Sequence, residues 1–161
     1  MLVPLALALA AVQVCHVEDA RYALRDEPTV TASFYPVDSG NDWPAHVALA
    51  INFGETGRTY WWLPASGGSN NLQYIVSTTD VTLPEWLPPS PDGGERPLGE
   101  MEYIGADADY NIIDDIPQMG GIAPAHMLLT SLGDRTWHWS TTQRDSAPKQ
   151  FFDLIGCASD N

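Results

Sequence analysis

Positive charge is scarce in this chain: 161 residues carry seven Lys and Arg against 21 Asp and Glu, a formal net charge of -14. Such a balance repels phosphate backbones and anionic lipid surfaces, which excludes nucleic-acid binding as a role. Like charge spread along the chain also keeps a protein soluble and monomeric, so the acidity calls for no partner. Cysteine is nearly absent, with Cys15 and Cys157 alone, so neither a cysteine-rich scaffold nor a Cys-x-x-Cys metal knuckle is available. Gly-x-Ser-x-Gly, His-Glu-x-x-His and phosphate-loop patterns are missing as well. No internal repeat and no low-complexity tract interrupts the sequence.

The longest apolar run, Leu2 to Val14, falls short of the roughly 20 residues a membrane-spanning helix needs. Its length suits the apolar region of a secretory signal, and Ala8 and Ala10 provide the small side chains wanted before a cleavage point. We therefore expect a leader over residues 1–11, a mature chain starting at Ala11 or Val12, and a secreted or periplasmic protein without a membrane span. No Lys or Arg precedes the run, and a buried N-terminal strand is the competing reading. Gln13 and Val14 before Cys15 do not suit lipid attachment. In an oxidising compartment two cysteines pair, so a Cys15–Cys157 bridge is expected. It would close nearly the whole domain, for which chain-entropy reasoning allows at most about 4 to 5 kcal/mol. Residues 12–161 suit one domain with an ordinary core.

Period-two alternation dominates. Val47, Leu49, Ile51 and Phe53 alternate with Ala48, Ala50 and Asn52, a strand with a bulky and a small-sided face that packs on both sides. Gly54 to Gly57 forms a hairpin loop, and Arg58 to Leu63 returns with Tyr60 and Trp62 opposite Thr59, Trp61 and Leu63. A loop from Pro64 to Asn71 leads to a strand over Leu72 to Thr78, completing a meander. Thr29 to Tyr35 pairs with the Val47 strand across the Pro36 to Pro44 loop. From 82 to 99, five prolines and Gly93-Gly94 prevent any ladder or helix, leaving a long loop that Trp86 pins to the domain.

The second half is more ambiguous. Met127 to Leu132 and Arg135 to Thr141 read as a hairpin about a Gly133-Asp134 turn, which puts Trp137 and Trp139 on one face and His138 on the other. A helix over Pro124 to Leu132, stopped by Gly133, is the rival. Pro148 to Ile155 reads as a short C-terminal helix capped by Ser146 and stopped at Gly156, with a last strand as the alternative.

Three features bear on chemistry. Asp107, Asp109, Asn111 and Asp115 follow the ligand order of a calcium loop, although Ile112 replaces the required glycine and Gln118 the bidentate glutamate; calcium is the only cofactor they suggest, and a solvated acidic turn is the alternative. Among six tryptophans, Trp61, Trp137 and Trp139 are candidate ligand-binding residues, because sugar C–H faces lie well on an exposed indole; core filling competes. Four histidines, at 16, 46, 126 and 138, support no particular triad, and Ser66-Gly67-Gly68-Ser69 is turn chemistry. These readings converge on an all-β antiparallel sandwich or partly closed barrel of about seven or eight strands, with one short helix near the C-terminus. Its expected role is non-catalytic binding of an extracellular ligand, glycan or protein. A small hydrolase using a carboxylate or His, and a passive envelope or matrix component, are the alternatives.

Overall fold

Alternating side chains build the whole molecule. The computed structural model describes residues 14–68 and 72–158; the expected leader over residues 1–11 lies outside them, as do residues 69–71 of the loop expected from Pro64 to Asn71. A single 3-10 turn, Val17–Asp19, leads into β1 (Ala20–Leu24), β2 (Glu27–Pro36), β3 (Val47–Phe53), β4 (Arg58–Gly67) and β5 (Leu72–Thr78). After the proline-rich stretch come β6 (Glu100–Ala106), β7 (Ile112–Ile113), β8 (His126–Leu129), the helix α1 (Leu132–His138) and β9 (Phe151–Cys157).

Every pairing is antiparallel, and β9 pairs with β1 while β6 pairs with both β5 and β8. Eight strands therefore close into an up-and-down barrel with no free edge between first and last. The two-residue β7 is the addition, pairing Ile113 with Gly105 and Ile112 with Ala106. A barrel of eight strands has an interior just wide enough to be filled by side chains or to hold one small ligand.

Here side chains fill it. Tyr22, Leu24, Phe34, Leu49, Ile51, Trp62, Ile75, Met101, Tyr103, Met127 and Phe152 belong to one continuous buried core, and they come from every barrel strand. A second, smaller core lies outside the wall: Trp43, Ala48, Ala50, Trp61, Leu63 and Val76, joined by Trp86 and Val81. Ala48 and Ala50 are small because β3 is covered on that face too, so the two-sided reading of the Val47 strand holds. The indole N–H of Trp43 donates to the carbonyl of Pro89 at 2.9 Å and that of Trp86 to Thr78 Oγ1 at 3.1 Å, so the proline-rich stretch is pinned to the outer wall as expected.

Three expectations are corrected. The Pro64 loop begins later, because β4 runs on through Gly67; its pairing with β3 stops at Trp62, so Pro64 has β5 alone beside it, where a residue without an N–H is tolerated. The hairpin around Gly133 is instead β8 followed by α1. Gly133 answers a packing need: a β-carbon there would overlap the carbonyl oxygen of Ala147. Pro148 to Ile155 is not a helix. It contributes most of β9, whose Phe152 and Leu154 face the core while Asp153 pairs with Ala23 of β1 and His126 of β8. Sheet closure overrides the local capping signals.

Candidate functional site at the barrel mouth

The connection from β6 to β8, residues 107–125, crosses one end of the barrel. Its first turn is held by Asp107, whose carboxylate accepts the backbone N–H groups of Asp109 and Asn111, both at 2.9 Å, and the Asn111 amide. These donors hold the Asp107 carboxyl below the usual aspartate range. The following chain drops Ile116 and Ala123 into the barrel core. Met119 N–H reaches the carbonyl of Ala45 on the far rim at 2.9 Å.

On the near rim the connection is fastened to the start of the domain. Val17 N–H donates to Gly121 and Ala123 N–H to Cys15, at 2.9 and 2.8 Å, with a β-bridge between His16 and Ile122. The Glu18 carboxylate accepts Gly120 N–H at 2.8 Å, which lowers its pKa; Gly120 turns the chain back at φ +78°, a conformation that favours glycine. The expected bridge is formed: Cys15 and Cys157 are joined with their α-carbons 5.7 Å apart, which ties this rim to the end of β9.

Between the connection and the barrel wall lies a cleft of about 770 Å³. Its floor includes Tyr103 and Leu154, and its walls Ile113, Ile116, Met119 and Ile122. Met119 and Ile122 are 54% and 73% exposed, a large apolar surface for a chain with this charge. Asp107 and Asp115 stand among the lining residues, and no Lys or Arg does. Tyr103, buried so that its hydroxyl pKa is pushed up, lies over Gly105, where a β-carbon would meet the Tyr103 hydroxyl oxygen at 2.7 Å.

The residues singled out from sequence are dispersed. Trp61 is 8% exposed and packs in the outer core against Tyr35. Trp137 and Trp139 are 41% and 38% exposed but sit on and just after α1, at the other end of the barrel. Of the four calcium candidates, Asp107 and Asp115 line the mouth cleft and Asp109 and Asn111 do not. Among the described residues no three His, Cys, Asp or Glu side chains gather so as to hold a metal. Asp107 faces backbone and amide donors instead.

One cluster escaped the sequence reading because its members lie far apart in the chain. On the outer wall His126 Nδ1 lies 2.7 Å from Asp153 Oδ1, and Arg25 binds both oxygens of Asp153 at 2.7 and 2.9 Å. The Tyr110 ring stacks on His126 with centroids 4.1 Å apart, and its hydroxyl accepts from Arg25 at 2.6 Å. Arg25 lowers the pKa of the Asp153 carboxyl. A carboxylate that orients an imidazole supplies two of the three members of a nucleophilic triad. No Ser, Thr or Cys hydrogen-bonds to this imidazole among the described residues, and the cluster instead fastens the turn at 107–111 to β1, β8 and β9.

Comparison with known proteins finds no matching family model, no matching curated protein and no matching solved structure.

Proposed function

We propose that this protein is a non-catalytic binder of a small, largely apolar molecule without negative charge, held at the barrel mouth beneath residues 107–125. The cleft itself supports this: a concavity of about 770 Å³ with apolar walls sits at the mouth of a barrel whose interior is full, with carboxylates as its charged lining. Barrel mouths are favoured ligand sites, and apolar walls with a few polar groups are the usual construction. Negative potential at the rim disfavours anionic ligands.

The bridge, and the absence among the described residues of a helix long and apolar enough to cross a membrane, are compatible with a non-cytoplasmic setting. We propose that the protein works outside the cytoplasm, which the apolar run from Leu2 to Val14 and the bridge together support.

The neutral fluorophore N-phenyl-1-naphthylamine tests the site. The proposal expects saturable, blue-shifted emission at one equivalent, with binding weakened about tenfold or more by Met119→Asp, which places a charge in the apolar wall. Met119 is exposed, so the substitution leaves the core intact. Absence of saturable emission, or identical titrations for the two proteins, overturns the proposal.

A further inference from the structure

The opposite end of the barrel carries a second concavity of different chemistry. Trp139, immediately after α1, stands as a partition between two clefts of about 470 and 260 Å³, both of which it lines together with Pro97 and Leu98. Its indole meets the Tyr60 ring edge to face, with centroids 5.8 Å apart. Tyr60 is in turn fixed by its hydroxyl donating to Asp145 at 2.6 Å. The aromatic surface is therefore backed by an anchored ring yet left 38% exposed.

The larger cleft surrounds this ring with hydrogen-bonding groups. Thr59, Thr79, Asp80 and Gln143 line it, beside the covered edge of Trp61. Asp80 uses Oδ1 to accept from Thr82, at 2.9 Å from the backbone N–H and 2.6 Å from the hydroxyl. Its Oδ2 and the Gln143 amide make no hydrogen bond among the described residues. Arg58, the one cation in the lining, is committed to Asp145 and to the carbonyl of Arg144.

We propose that this cleft is a second binding site, for a neutral saccharide ring stacked on Trp139. A pyranose offers an apolar C–H face and a rim of hydroxyls, which matches an indole face bordered by a free amide and a free carboxylate oxygen. Uncharged sugars are specified because the available carboxylate and the net charge of -14 both oppose an acidic glycan, and the arginine is already engaged. This site is independent of the mouth cleft, from which it shares no lining residue.

Saturation-transfer NMR and calorimetry with a panel of neutral hexasaccharides, namely cello-, xylo-, malto- and chitohexaose, test it. At least one member is expected to bind with a dissociation constant at or below about 1 mM. Trp139→Ala should weaken that binding about tenfold or more, while Trp137→Ala, an exposed indole outside this cleft, should leave it unchanged. Gln143→Ala, an exposed polar change that keeps the tryptophan, should weaken it several-fold and so guards against a folding defect in the first variant. Failure of every saccharide to bind at about 10 mM, or equal losses from Trp139→Ala and Trp137→Ala, overturns the proposal, and neither outcome bears on the mouth cleft.

Discussion

Asp145 shows how one side chain can anchor a whole segment. It is 4% exposed and accepts from Thr56 Oγ1, Arg58 Nε and the Tyr60 hydroxyl at 2.7, 2.7 and 2.6 Å, while Thr136 Oγ1 donates to its backbone carbonyl at 2.7 Å. Burial alone would raise its pKa, but the hydrogen bonds from Arg58, Tyr60 and Thr56 outweigh burial and hold it below the ordinary 3.8. Burial, helped by the same carboxylate, pushes the Tyr60 hydroxyl up to about 12. Because the folded pKa lies below the unfolded one, the unfolded chain takes up the proton more readily. The stabilisation is therefore complete above the ordinary carboxylate value and is lost as pH falls through the folded one. Asp153, lowered by Arg25, acts in the same sense. Urea midpoints are expected to be level from about pH 7 to pH 5 and to drop below about pH 4. Asp145→Ala leaves the buried Tyr60 hydroxyl and the half-buried Arg58 guanidinium without their acceptor, besides the exposed Thr56 hydroxyl, and is expected to cost on the order of 3 kcal/mol at neutral pH, read from the same midpoints. At this scale the sequence is least legible. Nothing near Asp145 in the chain announces Thr56 or Arg58, and Asp107 imitates a calcium ligand because the side chain that could hold a cation also closes a turn. Calcium titrated into chelator-washed protein should give no saturable heat at millimolar concentration.

Elements were legible where a strand buries one bulky face. Thr29 to Tyr35, Val47 to Phe53, Arg58 to Leu63 and Leu72 to Thr78 lie in β2 to β5, since alternation is what a barrel wall requires of its sequence. The same alternation runs unread through Ala20–Leu24 and Glu100–Ala106. Around Gly133 the signal misleads. A glycine followed by aspartate has the chemistry of a tight turn, and Trp137 with Trp139 has a strand's spacing, yet a seven-residue helix is what covers this end of the barrel. In a helix those two indoles point apart, which is why Trp137 lies near Arg144, its ring 5.5 Å from the guanidinium carbon, and Trp139 near Tyr60. Two expectations follow. Acrylamide should quench a fluorescence component that disappears in a Trp137→Phe, Trp139→Phe double variant, since Trp43, Trp61 and Trp62 are buried and Trp86 is half-buried with its indole N–H bonded to Thr78. Gly133→Ala should lower the melting temperature by several degrees, a cost of about 1 to 3 kcal/mol from overlap with Ala147 that exceeds the roughly 1 kcal/mol alanine gains in helix propensity.

The molecule as a whole is a closed wall with two differently furnished ends. One end is crossed by residues 107–125 and tied by the bridge; the other is covered by α1 and the segment anchored through Asp145. The bridge spans 142 residues of sequence beside the β9–β1 seam, so reduction should lower stability by up to about 4 to 5 kcal/mol in denaturant unfolding. Closure itself was only partly legible, because it depends on β9 and β1 meeting across the full length of the chain, a contact no local pattern encodes. The apolar cleft was not legible for the same reason. Its walls combine a crossing connection, the start of the domain and two barrel strands, and its residues read separately as ordinary loop and core.

Amide-resolved NMR of the isotopically labelled protein during titration with N-phenyl-1-naphthylamine tests the central claim most directly. Amides of residues 113–116 and 118–123, together with Tyr103 and Leu154, are expected to shift in a saturable way while those of Arg58 to Trp61 and Trp139 stay in place. Shifts confined to the α1 end, or none that saturate, would contradict it.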